Sequence, residues 1–188
     1  MKKQQLLSTL ALTLLSSFTT VYADTAKVES KPTVKPAPKV TTTEKKVPYN
    51  QVRDFSFYDM QGVTHKFSDY KGKWILVNYW ATYCPPCRAE IPDIEEFYRK
   101  NKSKFVVLGM DAGGSDNASI KAFKKELDIT YPLIPAQEST LLAFGVVIAI
   151  PTSYIINPQG EIIDKYVGLI TYDDLDFNVN PQNFIKEK

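Results

Sequence analysis

The sequence contains few of the residues that most often carry chemistry. Its 188 residues include two cysteines, one histidine and two tryptophans, and 23 basic side chains nearly balance 21 acidic ones. This balance argues against nucleic acid as the main partner, because nucleic-acid-binding proteins need a basic surface. One histidine and two cysteines also fall short of the roughly four ligands of a zinc site. We therefore expect no bound metal.

The sequence also lacks an apolar run long enough to span a bilayer. The run Leu6–Leu15 is much shorter than the roughly 20 residues required, and no later run reaches that length. Lys2 and Lys3 precede this run, and the small-residue pattern at 21–23 follows it, which is typical of a cleaved secretory signal. We predict that residues 1–23 are a signal peptide and that the mature protein is soluble in the periplasm.

The next segment, 24–48, is rich in lysine, threonine and proline and has no aromatic residue. Such a segment cannot bury enough apolar surface to offset the entropy lost on ordering, so we predict a disordered linker. From Tyr49 onward the composition becomes that of a globular protein. Residues 49–188 are numerous enough for one hydrophobic core, and we predict a single domain there.

Strand and helix patterns alternate along this predicted domain. The continuous apolar run Trp74–Trp80 is typical of a strand that is covered on both faces. Alternation with helices, followed by a closing hairpin, predicts an α/β fold with a central mixed sheet flanked by helices. The predicted strands are 53–58, 63–67, 74–80, 105–108, 131–134, 152–156 and 161–167. Helices are predicted from Cys84 onward, over 117–127 and 139–144, and around Leu175, with no assignment after about residue 177.

The two cysteines lie three residues apart, as Cys84-Pro85-Pro86-Cys87. A structural staple is the simplest interpretation of a cysteine pair in an exported protein. A bridge across so short a loop, however, removes little entropy from the unfolded chain and would stabilise the fold weakly. A lone pair at this spacing therefore favours a redox function.

The pair lies where the strand ending at Trp80 gives way to a helix. Pro85 and Pro86 lack amide hydrogens, which the first helical turn tolerates, so Cys84 is predicted at the helix N-terminus. There the helix dipole favours a thiolate, so we expect the pKa of Cys84 to lie below the usual value of about 8.5. Cys87 lies one turn later on the same side. These positions predict that Cys84 is the exposed nucleophile and that Cys87 resolves the mixed disulfide.

The segment 80–92, Trp-Ala-Thr-Tyr-Cys-Pro-Pro-Cys-Arg-Ala-Glu-Ile-Pro, resembles the active-site segment of the thioredoxin superfamily. Its greatest similarity is to the extracytoplasmic TlpA/ResA-like thiol–disulfide oxidoreductases. A second stretch, Ile150-Pro151-Thr152 followed by a strand and the turn 157–160, resembles the cis-proline strand and hairpin of that group. The resemblance covers roughly residues 49–170.

The resemblance implies a thioredoxin-like fold with an N-terminal hairpin and a central αβ insertion, here 117–134. It implies that the Ile150–Pro151 bond is cis and lies beside Cys84, and that Glu90 relays the proton of Cys87. An acid near the positive helix end is the alternative interpretation of Glu90. Asn78 occupies the position where thioredoxins proper carry a buried aspartate, so proton handling cannot follow that route. The implied substrate-binding residues are Trp80, Tyr83, Pro85, Pro86, Ile150 and Pro151.

The resulting prediction is a reductant of protein disulfides whose redox group is the Cys84–Cys87 disulfide itself, with no bound cofactor. Its expected partners are proteins with thiols or disulfides, apocytochrome c among them, and a membrane thiol transporter of the DsbD or CcdA type as electron donor. The reductive direction rests on the resemblance alone. A disulfide-forming oxidant or isomerase remains an alternative, as does a non-catalytic chaperone with a structural disulfide.

Overall fold

The computed structural model describes residues 50–184. The predicted signal peptide (1–23) and linker (24–48) lie outside the described residues. The strands are β1 Ser56–Tyr58, β2 Thr64–Lys66, β3 Trp74–Trp80, β4 Phe105–Asp111, β5 Leu133–Ile134, β6 Thr152–Ile156 and β7 Ile162–Val167. The helices are α1 Pro85–Asn101, α2 Asn117–Glu126, α3 Glu138–Leu142 and α4 Tyr172–Val179, with 3-10 turns at Phe67–Tyr70 and Pro181–Phe184.

The central sheet has five strands in the order β5-β4-β3-β6-β7. Strands β3, β4 and β5 run parallel, whereas β6 and β7 run antiparallel to their neighbours. Parallel neighbours need a crossover, which α1 supplies between β3 and β4 and α2 supplies between β4 and β5. The predicted mixed sheet flanked by helices is confirmed.

Strand β3 divides the core into two clusters because successive side chains point to opposite faces. Leu76 and Trp80 belong to the cluster that contains the apolar side of α1. Ile75, Val77 and Tyr79 belong to the other cluster, beneath the N-terminal hairpin. Both faces are covered, which explains why the sequence of this strand is almost continuously apolar.

The N-terminal hairpin, β1 and β2, pairs antiparallel with Phe57 opposite His65. The side chain of Asp59 closes its turn by accepting hydrogen bonds from the amides of Gln61 and Val63, both at 2.9 Å. The hairpin is confirmed, with strands shorter than predicted. Short aspartate side chains favour such turns because they bind the backbone two residues further on.

Boundaries differ from the predictions at the ends of the elements. Strand β4 continues to Asp111, three residues beyond its predicted end, because it pairs with β3 as far as Trp80. Strand β5 is limited to two residues at the sheet edge, where only Leu133 and Ile134 pair with β4. The helix predicted around Leu175 is confirmed as α4, whose N-cap Thr171 accepts a hydrogen bond from the amide of Asp174.

Gly109, in the middle of β4, has no room for a side chain. A Cβ atom there would lie 2.7 Å from Cδ2 of Leu133 and 3.3 Å from Nε1 of Trp80. We expect Gly109→Ala to lower the free energy of unfolding by about 1–3 kcal/mol, as overpacking of a core does. Urea unfolding checks this. Together with Leu133→Val, which removes the Cδ2 atom, the loss should be smaller than the sum of the two single losses, and additive losses would contradict the close contact.

Candidate active site

The cysteine pair lies at the junction of β3 and α1, as predicted. Cys84 is the N-cap of α1, and Pro85 and Pro86 occupy the first two helical positions. The two cysteines form a disulfide with an S–S distance of 2.04 Å. The predicted pairing of Cys84 with Cys87 is therefore confirmed.

The exposure of the two cysteine residues differs from the prediction in one respect. The sequence predicts an exposed Cys84, but only 5% of this residue is accessible, against 0% of Cys87. Both cysteines pack into the cluster that also contains Ala81 and Ile91. Cys84 is still the more accessible of the two, so an incoming sulfur would meet it first.

The backbone at the start of α1 is arranged to favour negative charge on Cys84. The amide of Cys87 donates a hydrogen bond to Sγ of Cys84 at 3.3 Å. The first amides of a helix lack partners within the helix, and the helix dipole adds to their attraction for an anion. After reduction, the same amide can donate to the Cys84 thiolate.

The strand that follows Pro151 lies next to β3. The Ile150–Pro151 bond is cis, as predicted. Tyr79 of β3 pairs with Thr152 of β6, so Pro151 lies beside the end of β3 from which the chain leads to Cys84. Ile150 is partly buried and packs against the cluster that contains both cysteines.

Glu90 is a buried carboxyl group one helical turn after Cys87. It is 0% exposed, and its two oxygens accept hydrogen bonds from Nδ2 of Asn78 at 2.7 Å and from the amide of Ile170 at 3.0 Å. Burial raises the pKa of Glu90 from its usual 4.5 to about 7, although these two hydrogen bonds lower it. The group can therefore take up or release a proton near neutral pH.

Asn78 links β3 to this carboxyl group. Its Nδ2 donates both to Glu90 and to Oγ of Ser153, the latter at 3.0 Å. The sequence indicates that Asn78 cannot act as the aspartate of thioredoxins does, but not that it binds Glu90. The two residues belong to different elements, so no local pattern connects them.

The predicted substrate-binding residues divide into surface and core positions. Tyr83 is 69% exposed, and Pro85 and Pro86 are also exposed. The prediction that Trp80 binds substrate is wrong. Trp80 is only 2% exposed, and its ring stacks on Phe123 with centroids 4.5 Å apart. The alternation along β3 turns Trp80 into the core, so it cannot form part of a surface for another protein.

His65 lies on β2, away from the cysteines in sequence and in fold. Its Nε2 lies 3.0 Å from Oδ2 of Asp59, and its ring stacks on Phe57. These contacts make His65 a hydrogen-bonded and packed residue of the hairpin.

Comparisons with known proteins show similarity to thioredoxin-like proteins, including thiol–disulfide oxidoreductases. Residues 48–165 match the model of the AhpC/TSA family. The chain is 32% identical to the thiol–disulfide oxidoreductase ResA of Bacillus thuringiensis over 137 residues, which is 72% of this chain and 79% of the relative. It is 30% identical over 128 residues to the thioredoxin-like protein YneN of Bacillus subtilis, covering 67% of this chain and 75% of the relative.

A solved structure supports the same grouping. The thioredoxin-family thiol:disulfide interchange protein of Chlorobium tepidum aligns with a TM-score of 0.65 and 30% identity. The alignment covers 70% of this chain and 94% of that one. The fold is thus thioredoxin-like. Between residues 50 and 184, no helix has the length and apolar character needed to cross a membrane.

Proposed function

Because the chain belongs to the AhpC/TSA family and is a thiol–disulfide oxidoreductase of the ResA type, we propose that Cys84 and Cys87 reduce disulfides in other proteins. The observation that carries this proposal is the disulfide at the N-terminus of α1, with the buried carboxyl group of Glu90 one turn further along the helix.

The reaction starts from the reduced pair. The Cys84 thiolate attacks a substrate disulfide and forms an S–S bond to one substrate sulfur, while the other leaves as a thiolate and takes up a proton. Cys87 then loses its proton and attacks the sulfur of Cys84. The Cys84–Cys87 disulfide forms, the second substrate sulfur leaves and is protonated, and two electrons have passed to the substrate.

Glu90 receives the proton of Cys87. The thiol of Cys87 has no exposed surface from which to release a proton directly to solvent. Glu90 lies on the same side of α1, since residues three apart on a helix are neighbours. A carboxylate with a pKa of about 7 is well matched to proton transfer near neutral pH.

The surface around Cys84 contacts the polypeptide substrate. Tyr83, Pro85 and Pro86 offer an exposed apolar patch next to Cys84, the more accessible of the two cysteines. The backbone of Ile150, before Pro151, pairs with an extended substrate segment in the manner of an added strand. Main-chain pairing of this kind accepts many sequences, which suits an enzyme that acts on unfolded or partly folded proteins.

The protein works as a reductant in the periplasm. The secretory pattern at 1–23 supports export, and the resemblance of 80–92 to the TlpA/ResA-like group supports the reductive direction. Electrons come from a membrane thiol transporter of the DsbD or CcdA type, because a periplasmic dithiol needs a donor that crosses the membrane. Apocytochrome c, whose haem-binding thiols must be reduced, is a candidate substrate.

The reduction potential of the pair tests the direction. We expect the mature protein, equilibrated with glutathione buffers, to show a value near or below the roughly −270 mV of thioredoxin. A value near the roughly −120 mV of the oxidant DsbA would contradict the reductive direction and make disulfide formation the function.

A further inference from the structure

A turn after β4, residues 111–115, is built around a buried carboxylate. Asp111 is fully buried, and its carboxylate accepts hydrogen bonds from the amide of Gly113 at 3.0 Å and the amide of Ser115 at 2.6 Å. The hydroxyl of Ser115 also lies 3.4 Å from this carboxylate. A buried carboxylate is costly without such partners, so the turn has a defined conformation.

This turn is attached to the loop that leads to Cys84. The amide of Ala112 donates to the carbonyl of Trp80 at 2.8 Å, at the start of the loop. The hydroxyls of Ser115 and Thr82 lie 3.2 Å apart, closer to its end. The turn therefore lies alongside the active-site loop from Trp80 to Thr82 and contacts both of its ends.

Gly113 brings the turn into contact with Tyr83. A Cβ atom on Gly113 would lie 2.7 Å from Cβ of Ala81 and 2.9 Å from Cε1 of Tyr83. Ala81 is fully buried and cannot give way, so a side chain at residue 113 would displace the exposed ring of Tyr83 outward. One edge of the Tyr83 ring thus lies against the Gly113 backbone, while most of the side chain faces solvent.

We propose that the 111–115 turn, through Gly113, is a positioning element that holds Tyr83 in the orientation that contacts polypeptide substrates. It sets the preference of the enzyme for protein disulfides over small disulfides, since a small disulfide reaches Cys84 without covering Tyr83. This inference rests on the proposed function, and neither Gly113 nor Asp111 touches the reacting sulfurs.

The test compares insulin, a polypeptide disulfide, with oxidised glutathione, a small one. For Gly113→Ala we expect the ratio of kcat/KM for insulin to kcat/KM for oxidised glutathione to fall about fivefold or more, as displacement of an interface aromatic does. The fall should come from KM for insulin. Gly72→Ala controls for a destabilising glycine change away from the site, because an added Cβ there meets nothing within 4 Å but the backbone has a φ of 86°.

A double-mutant cycle separates positioning from a general disturbance. In a Tyr83→Ala background, Gly113→Ala should have no further effect on the ratio, because the ring that it displaces is gone. An equal fall in both backgrounds, or an unchanged ratio in Gly113→Ala, would overturn the inference. If Gly113→Ala does not fold, Ser115→Ala takes its place in the same cycle. We then expect a smaller fall in the ratio of kcat/KM values, and again no further fall in the Tyr83→Ala background. Failure of the wild-type protein to reduce insulin would instead contradict the proposed function.

Discussion

Cys84→Ser is expected to abolish insulin reduction, with a loss of at least about 10³-fold in kcat/KM. The hydroxyl of serine is not ionised near neutral pH and cannot attack a disulfide at a useful rate. The helix N-terminus that favours the Cys84 thiolate cannot compensate for the missing sulfur. Insulin turbidity with dithiothreitol as the reductant measures this loss. Retained activity would contradict the proposal that the protein is a disulfide reductase and would favour a chaperone with a structural disulfide.

The Cys87→Ser variant should carry out the first step of disulfide reduction but not the second, in which the mixed disulfide is resolved. Cys84 remains able to attack, but no second thiol releases the substrate, so a mixed disulfide between Cys84 and the substrate accumulates. Mass spectrometry without added reductant would detect it. An absence of mixed disulfide in Cys87→Ser, or its formation in Cys84→Ser, would contradict the assigned order of the two cysteines.

The two serine variants are matched controls for each other. Each loses the same disulfide, so each loses whatever small stability that short bridge provides. A difference between them in trapping substrate must therefore come from the chemistry of the sulfurs. Their free energies of unfolding should be similar, and urea unfolding of both variants checks that assumption.

The sequence predicts the bounds of β3, β6 and β7 to within one residue, but not those of β4 and β5. The bounds of β3 agree with the predicted 74–80, because a strand covered on both faces has a nearly continuous apolar sequence. Strand β6 also agrees with its predicted 152–156, although it begins with two polar residues. Strand β5 lies at the sheet edge and pairs over two residues only. Its predicted length of four residues follows from composition, whereas its observed length depends on how far β4 extends beside it.

The same distinction applies to the active site. The spacing of Cys84 and Cys87 and the prolines between them predict the helix N-terminus, because these signals are local. The burial of Trp80 and the small exposure of Cys84 depend on which elements cover them. The hydrogen bond from Asn78 to Glu90 joins residues 12 apart in two different elements. Such contacts become visible only when the fold is known.

The stability of the protein should depend on pH through the buried carboxyl group of Glu90. In the folded protein its pKa is about 7, against a usual value of 4.5, because burial disfavours the charged form. Between these two values the folded state binds a proton that the unfolded chain has released, so the free energy of unfolding falls as the pH rises. The fall is about 3 kcal/mol and should be complete above pH 7 to 8.

Glu90→Gln should remove this dependence, because the amide does not ionise. Urea unfolding of the oxidised protein should show the variant gaining stability relative to wild type between pH 5 and pH 8.

The same variant should lower kcat for insulin reduction by about 10²-fold and remove the rise in activity near pH 7, since it cannot accept the proton of Cys87. Glu96→Gln, an exposed position on the same helix, is the control and should change neither profile. A stability change without any change in the activity profile would show that Glu90 is a buried acid of the fold and not the proton acceptor.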